Sequence, residues 1–173
     1  LLSQIFNNNV CLYKSKNINE YFINIDFYNF TSTIPSSILD VINVCKITNP
    51  RFYILPISLF FGAKIGHANI VIIDTEHKKI EGFEPHGKMF LGGKFIIDIG
   101  NIIKQIILSM NIRNDINEYN FKIVQDTCIG LQSRQSNIDM KSGHCLAWSL
   151  LFLHLRLFNL NVSSEMIIDY LLN

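Results

Sequence analysis

The chain has 173 residues, 49% of them apolar and 17% charged, with a formal net charge of +1. That length suits one ordinary domain, which can bury about two thirds of its unfolded surface without disulfide staples. A chain so apolar and weakly charged is not disordered, and its balanced charge leaves no electrostatic footprint for nucleic acid or an acidic membrane surface. Isoleucine and asparagine make up roughly a quarter of the residues, far above ordinary usage. That excess reflects an AT-rich genome and says nothing about chemistry.

Cys11, Cys45, Cys128 and Cys145 stand far apart, with no Cys-x-x-Cys pair. They read as four unpaired thiols in a reducing, intracellular compartment. The longest apolar run, residues 52–63, contains Pro56 and ends at Lys64. It is well short of the about 20 residues that span a bilayer, so it reads as a core segment and no membrane is expected. No charged-then-apolar leader opens the chain, which begins at Leu1 without Met, as an ordered region would.

In chain order, residues 1–35 read as irregular, with one strand at 21–27. Ser36 or Ser37 caps a helix through Ile38, Val41, Ile42 and Cys45 that closes before Pro50. Residues 52–61 form a strand. The β-branched run from Gly66 to Asp74, the polar turn 75–78 and the run 79–84 form a hairpin, stopped by Pro85 and Gly87. Apolar residues at 96, 99, 103, 106, 107 and 110 predict a helix over 95–110. A strand at 119–124 and a polar connection at 128–143 follow. Residues 145–158 are apolar almost all round and predict a central, buried helix, with Trp148, Leu151 and Leu155 on a core face and His154 among core residues. Ser163 or Ser164, with Glu165 in the first turn, caps a last helix over 164–172. The order implies an α+β fold, helices against a mostly antiparallel central sheet. It is one domain over 1–173, with an N-terminal part at 1–50, a core at 51–160 and a C-terminal helix at 161–173.

Cys145 opens the most apolar helix, where the positive end of the helix dipole favours a thiolate. Read alone, it is as well explained as a small buried hydrophobe. A nucleophilic thiolate needs a base, and His67 begins the hairpin's first strand. If 75–78 is the turn, Asn69 lies opposite Glu84, and Glu84 is then the diagonal neighbour of His67 on the same face. A carboxylate there would orient the imidazole and stabilise its cation; a one-residue slip would send the two to opposite faces. The plainer alternative is an exposed His and Glu at a hairpin's open end. An oxyanion needs donors: the Cys145 backbone N–H, and a side-chain amide from Gln132 or Gln135. His86 falls in a turn after Pro85, and His144, adjacent to Cys145, cannot face it along a helix. Cys128, Cys145, His67 and His144 include no ligand pair at recognised spacing, so no metal and no cofactor are expected.

His67, then Phe83-Glu84-Pro85-His86-Gly87, then a glutamine, then Gly143-x-Cys145 opening an apolar helix resembles the adenain-like and ubiquitin-like-protein-specific cysteine proteases. The strings His67-Ala-Asn-Ile and Cys145-Leu-Ala-Trp-Ser-Leu are most similar to cysteine-protease-like proteins of giant DNA viruses. The resemblance covers about residues 52 to 160. It implies a papain-like architecture of the adenain type, with Cys145 as nucleophile, His67 as base and Glu84 as the acidic member. Gln132, in Gly130-Leu-Gln, takes the place of the oxyanion donor, with Gln135 the alternative. Ala68 stands where these proteases commonly have Trp, and Leu146 where many have Gly. The implied substrates carry small residues, typically Gly-Gly, before the scissile bond. They are ubiquitin or ubiquitin-like conjugates, or viral structural precursors, met by a monomer in the host cytoplasm or the virion. Two other functions share the site: an effector-type acetyltransferase, and a non-catalytic binding module of the same fold.

Overall fold

A computed structural model describes residues 9–12, 20–27, 29, 31–60, 66–86, 88–124 and 144–172. The runs of β-branched and aromatic residues form one mixed sheet of seven strands: β1 (Val10–Leu12), β2 (Ile23–Asp26), β3 (Thr31–Thr33), β4 (Phe52–Phe60), β5 (Gly66–Asp74), β6 (Lys79–Phe83) and β7 (Asn120–Val124). Among the described residues four α-helices accompany them: α1 (Ser36–Thr48), α2 (Lys88–Ser109), α3 (Cys145–Phe158) and α4 (Ser164–Leu172).

The strand order is β3-β2-β4-β5-β6-β7. Its centre, β4-β5-β6, is antiparallel, whereas β1, β2 and β7 join in parallel. Because β5 occupies one whole edge of β4, β1 and β2 share the other edge end to end, against Phe52–Ile54 and Ile57–Phe60. Pro56, which has no N–H to give a ladder, falls in the gap between those two short strands.

Helices cover both faces, which is why β4 and β5 read as unbroken apolar runs. Tyr53, Leu55, Ile57, Leu59, Val71 and Ile73 meet α1 and α2, while Phe52, Ile54, Ile70 and Ile72 meet α3 and α4. This is the expected α+β class with helices against a central sheet.

Four local expectations are corrected. Residues 1–35 are not irregular around a single strand, because β1 and β3 also form; each is three residues long, too short to show a period. Ser36 is the first residue of α1, whose N-cap is Pro35 without a side-chain hydrogen bond. The second long helix starts at Lys88, earlier than its apolar periodicity indicates. Helix α3 is not buried all round: Leu146, Leu150, Leu151, His154 and Phe158 are exposed and Trp148 and Leu155 half-buried, while Ser149, Phe152, Leu153, Arg156 and Leu157 face inward.

The cysteines also differ from expectation. Cys11 and Cys45 form a disulfide, their Cα atoms 5.8 Å apart across a sequence separation of 34. The partnership has no signature in spacing, because it arises when β1 docks beside β4 under α1. Cysteine usage therefore gives no argument for a reducing compartment. Cross-linking a loop of this length restricts the unfolded chain and is worth about 2–4 kcal/mol. Adding reductant, or replacing both residues with alanine, is expected to lower the urea midpoint and to raise the m-value somewhat, because the unfolded chain is freed to expand. An unchanged midpoint would show that the bond does not constrain the fold.

Candidate active site

The hairpin β5–β6 sets the geometry of the site, and its turn is held in register by Asp74. The Asp74 carboxylate accepts the N–H groups of Glu76 and His77 and the Arg51 guanidinium at 3.2 and 3.1 Å. Lys78 takes the left-handed conformation (φ 51°) that closes the four-residue turn. Burial by itself would raise the Asp74 carboxyl, but hydrogen bonds from Arg51 and His77 outweigh it and hold the group below its usual range. The resulting register pairs Asp74 with Lys79 and Ile70 with Phe83. Carried one step further, it sets Asn69 opposite Glu84, as the turn assignment predicts.

That register brings His67 and Glu84 together. His67 Nε2 lies 2.7 Å from Glu84 Oε1, with both residues almost fully buried. Glu84 Oε1 also accepts the backbone N–H of His86 at 2.9 Å, so the turn after Pro85 fixes the carboxylate from behind. With Nε2 engaged, Nδ1 is the ring nitrogen left for the Cys145 sulfur, to which the His67 side chain is hydrogen-bonded. Helix α3 reaches the hairpin by packing Phe152 flat on Phe83, the ring centroids 4.4 Å apart, which delivers its first residue to the open end of β5. Cys145 is buried there and is the one free cysteine among the described residues.

The electrostatics follow from these contacts. Burial alone would push His67 down, but the Glu84 carboxylate and the Cys145 sulfur outweigh it and hold the imidazole up at about 9. Burial alone would raise the Cys145 thiol, but hydrogen bonds from His67 and from the Ala68 N–H, which lies 3.3 Å from the sulfur, bring it below its usual value. The cluster thus favours a thiolate beside an imidazolium. The ring of His86 sits 4.5 Å from that of His67. Burial, and then repulsion from His67, push His86 down to about 4, so it is neutral at pH 7 and lines the pair without competing as base.

Of the residues expected from sequence, Cys145, His67 and Glu84 come together, and Gln132 and Gln135 lie outside the described residues. His154, expected in the core, is exposed on α3. Sequence reasoning missed two groups at the site. One is the backbone N–H of Ala68, which no residue pattern marks. The other is Ser149, four positions after Cys145 and hence on its helix face, whose hydroxyl donates to the Ala68 carbonyl at 3.2 Å. No group of three or more His, Cys, Asp or Glu side chains among the described residues is placed to hold a metal ion. No helix among them is long and apolar enough to cross a membrane.

The sequence matches no family model and no curated protein. Among solved structures it is similar to the Chlamydia abortus effector protein ChlaDUB, at 19% identity and a TM-score of 0.44. The match covers 74% of this chain and 58% of that one, so the chain spans less than two thirds of that protein's length.

Proposed function

We propose that the chain is a cysteine peptidase with Cys145, His67 and Glu84 as its catalytic residues. One observation supports this most strongly: a buried thiol, imidazole and carboxylate, drawn from a helix start, a strand and the residue just past its hairpin partner, lie in continuous hydrogen-bonded contact. The Cys145 thiolate attacks a carbonyl carbon and forms a tetrahedral oxyanion, which faces the Cys145 backbone N–H and, in this reading, the Gln132 amide. His67, protonated on the nitrogen facing sulfur, gives that proton to the departing amine as the C–N bond breaks. Water then attacks the thioester, losing a proton to His67, and release of the acid regenerates the thiolate pair. Glu84 holds the ring through its contact with Nε2.

The motif resemblance extends the proposal to substrate: a chain ending in Gly-Gly before the scissile bond, as in ubiquitin-like modifiers. Modifier probes with a C-terminal electrophile are expected to label the protein at Cys145 and to leave Cys145→Ala unlabelled. Labelling elsewhere, or none with any modifier or Gly-Gly precursor peptide, would refute the reading. Incorporation of acetyl from acetyl-coenzyme A would replace it with a transferase.

The pH dependence follows from the same pair. The competent state needs Cys145 deprotonated and His67 protonated. Activity should rise through the lowered thiol titration and fall as pH passes about 9, where His67 loses its proton. A pH profile of kcat/KM is expected to be bell-shaped, with its alkaline limb near that value. A profile still rising above pH 10 would contradict the assignment.

A further inference from the structure

We propose that Ser149 is the positioning residue of this site: by gripping the Ala68 carbonyl, its hydroxyl holds the Ala68 N–H on the Cys145 sulfur, so that strand β5 serves as a further donor to the nucleophile. The argument begins with an accounting of backbone groups. In a strand, the N–H and C=O of one residue point to the same flank. Both groups of Ala68 are taken by side chains of α3, the N–H by Cys145 Sγ and the C=O by Ser149 Oγ. That flank is therefore the one away from β4, where β6 would pair if it continued. But β6 ends at Phe83, and the last paired residue of β5 is Ile70. Helix α3 thus replaces the missing strand at Ala68, with a thiolate standing in for a carbonyl and a hydroxyl for an N–H.

Ser149 is 1% exposed and lies one helical turn below Cys145. A serine within a helix ordinarily turns its hydroxyl back to its own i−4 carbonyl or to solvent; this one reaches across to the strand. Because Ala68 follows His67 directly, the same contact fixes the backbone that carries the base. The sulfur then receives hydrogen bonds from His67, from the Ala68 N–H and from the Leu146 N–H. Among the described residues, the charged and titratable groups that face it are His67 and, behind that ring, Glu84 and His86.

The test does not require a substrate. Alkylation of Cys145 by iodoacetamide, followed across pH by peptide mass spectrometry, reads the thiolate fraction directly. The wild-type protein is expected to show a midpoint below that of a free thiol. Ser149→Ala should raise that midpoint by up to about one pH unit, about tenfold less thiolate at fixed pH, since a single hydrogen bond is worth about that much. The melting temperature should fall by a few degrees, because the Ala68 carbonyl loses this partner. Ser149→Thr and Ser149→Val share a shape and differ in the hydroxyl, so the pair keeps the test decisive if alanine disturbs packing. Thr should retain the low midpoint and Val should lose it. Equal midpoints for Thr and Val, or a Ser149→Ala midpoint equal to wild type, would overturn the proposal while leaving the peptidase reading intact. An ordinary midpoint in the wild-type protein would instead remove the activated thiolate on which the peptidase reading depends.

Discussion

Replacing His67 with alanine is expected to lower kcat/KM about a thousandfold, the size of a lost general acid–base. The loss should shrink as pH rises from 7 to 9, because without the His67 cation the variant's thiolate forms only as the thiol itself titrates, while the wild-type protein nears its alkaline limb at about 9. Two effects combine in this variant. The thiolate loses its charged partner, so less of it exists at neutral pH, and the departing amine loses its proton donor. Glu84 also loses its contact with the imidazole while it stays buried, so some loss of stability accompanies the loss of rate. The two are separated by a second change. His67→Ala with Glu84→Ala should regain stability without regaining activity, because residues that act as one unit do not contribute additively. Steady-state kinetics with thermal melts of both variants check this. A His67→Ala protein within tenfold of wild type would remove His67 as the base.

The site was legible in sequence where it depends on local rules. The strand Gly66–Asp74 is bounded by a glycine and a polar turn, and a four-residue turn fixes a register in which one residue at the end of the hairpin is the diagonal neighbour of His67 on its face. That residue is Glu84, and the structure places it in contact. The helix that starts at Cys145 is equally clear, because the preceding Gly143 and the uninterrupted apolar run mark its start. Its orientation was not legible, for a physical reason. Between Leu146 and Leu155 the helix is almost uniformly apolar, so periodicity has no phase to read. The polar residues Ser149 and Arg156, which ordinarily mark the wet side, face inward because each finds a buried partner, the Ala68 carbonyl and the Glu81 carboxylate. The Cys11–Cys45 bond was hidden for a related reason: the parallel pairing of β1 with β4 that aligns them is long-range and involves only three residues on each strand.

The buried network around Arg156 carries the largest expected effect on stability. Arg156 Nε donates to Glu81 Oε2 at 2.9 Å and to Ser164 Oγ at 3.1 Å, while the Ser164 hydroxyl lies 2.7 Å from Glu81 Oε1. These contacts tie the inward face of α3 to β6 and to the first turn of α4, where Ser163 accepts the Met166 N–H as the true cap and leaves Ser164 free to turn inward. Glu81→Ala would strand a guanidinium that is 5% exposed, and leaving such a charge unpaired costs about 3–5 kcal/mol. Its midpoint in urea should fall accordingly, and α4 should lose amide-exchange protection along with the far end of α3. The pair itself contributes much less than that figure. Arg156 Nη1 has no hydrogen-bond partner among the described residues, so the desolvation of the charge is incompletely offset. Glu81→Met with Arg156→Leu should therefore recover most of the loss. Because the network lies near the end of α3 opposite Cys145, the double variant should also keep the iodoacetamide midpoint of wild type. A double variant as unstable as Glu81→Ala would show that the ion pair supplies net stability here. A shifted midpoint would show that this end of the helix helps place its first residue.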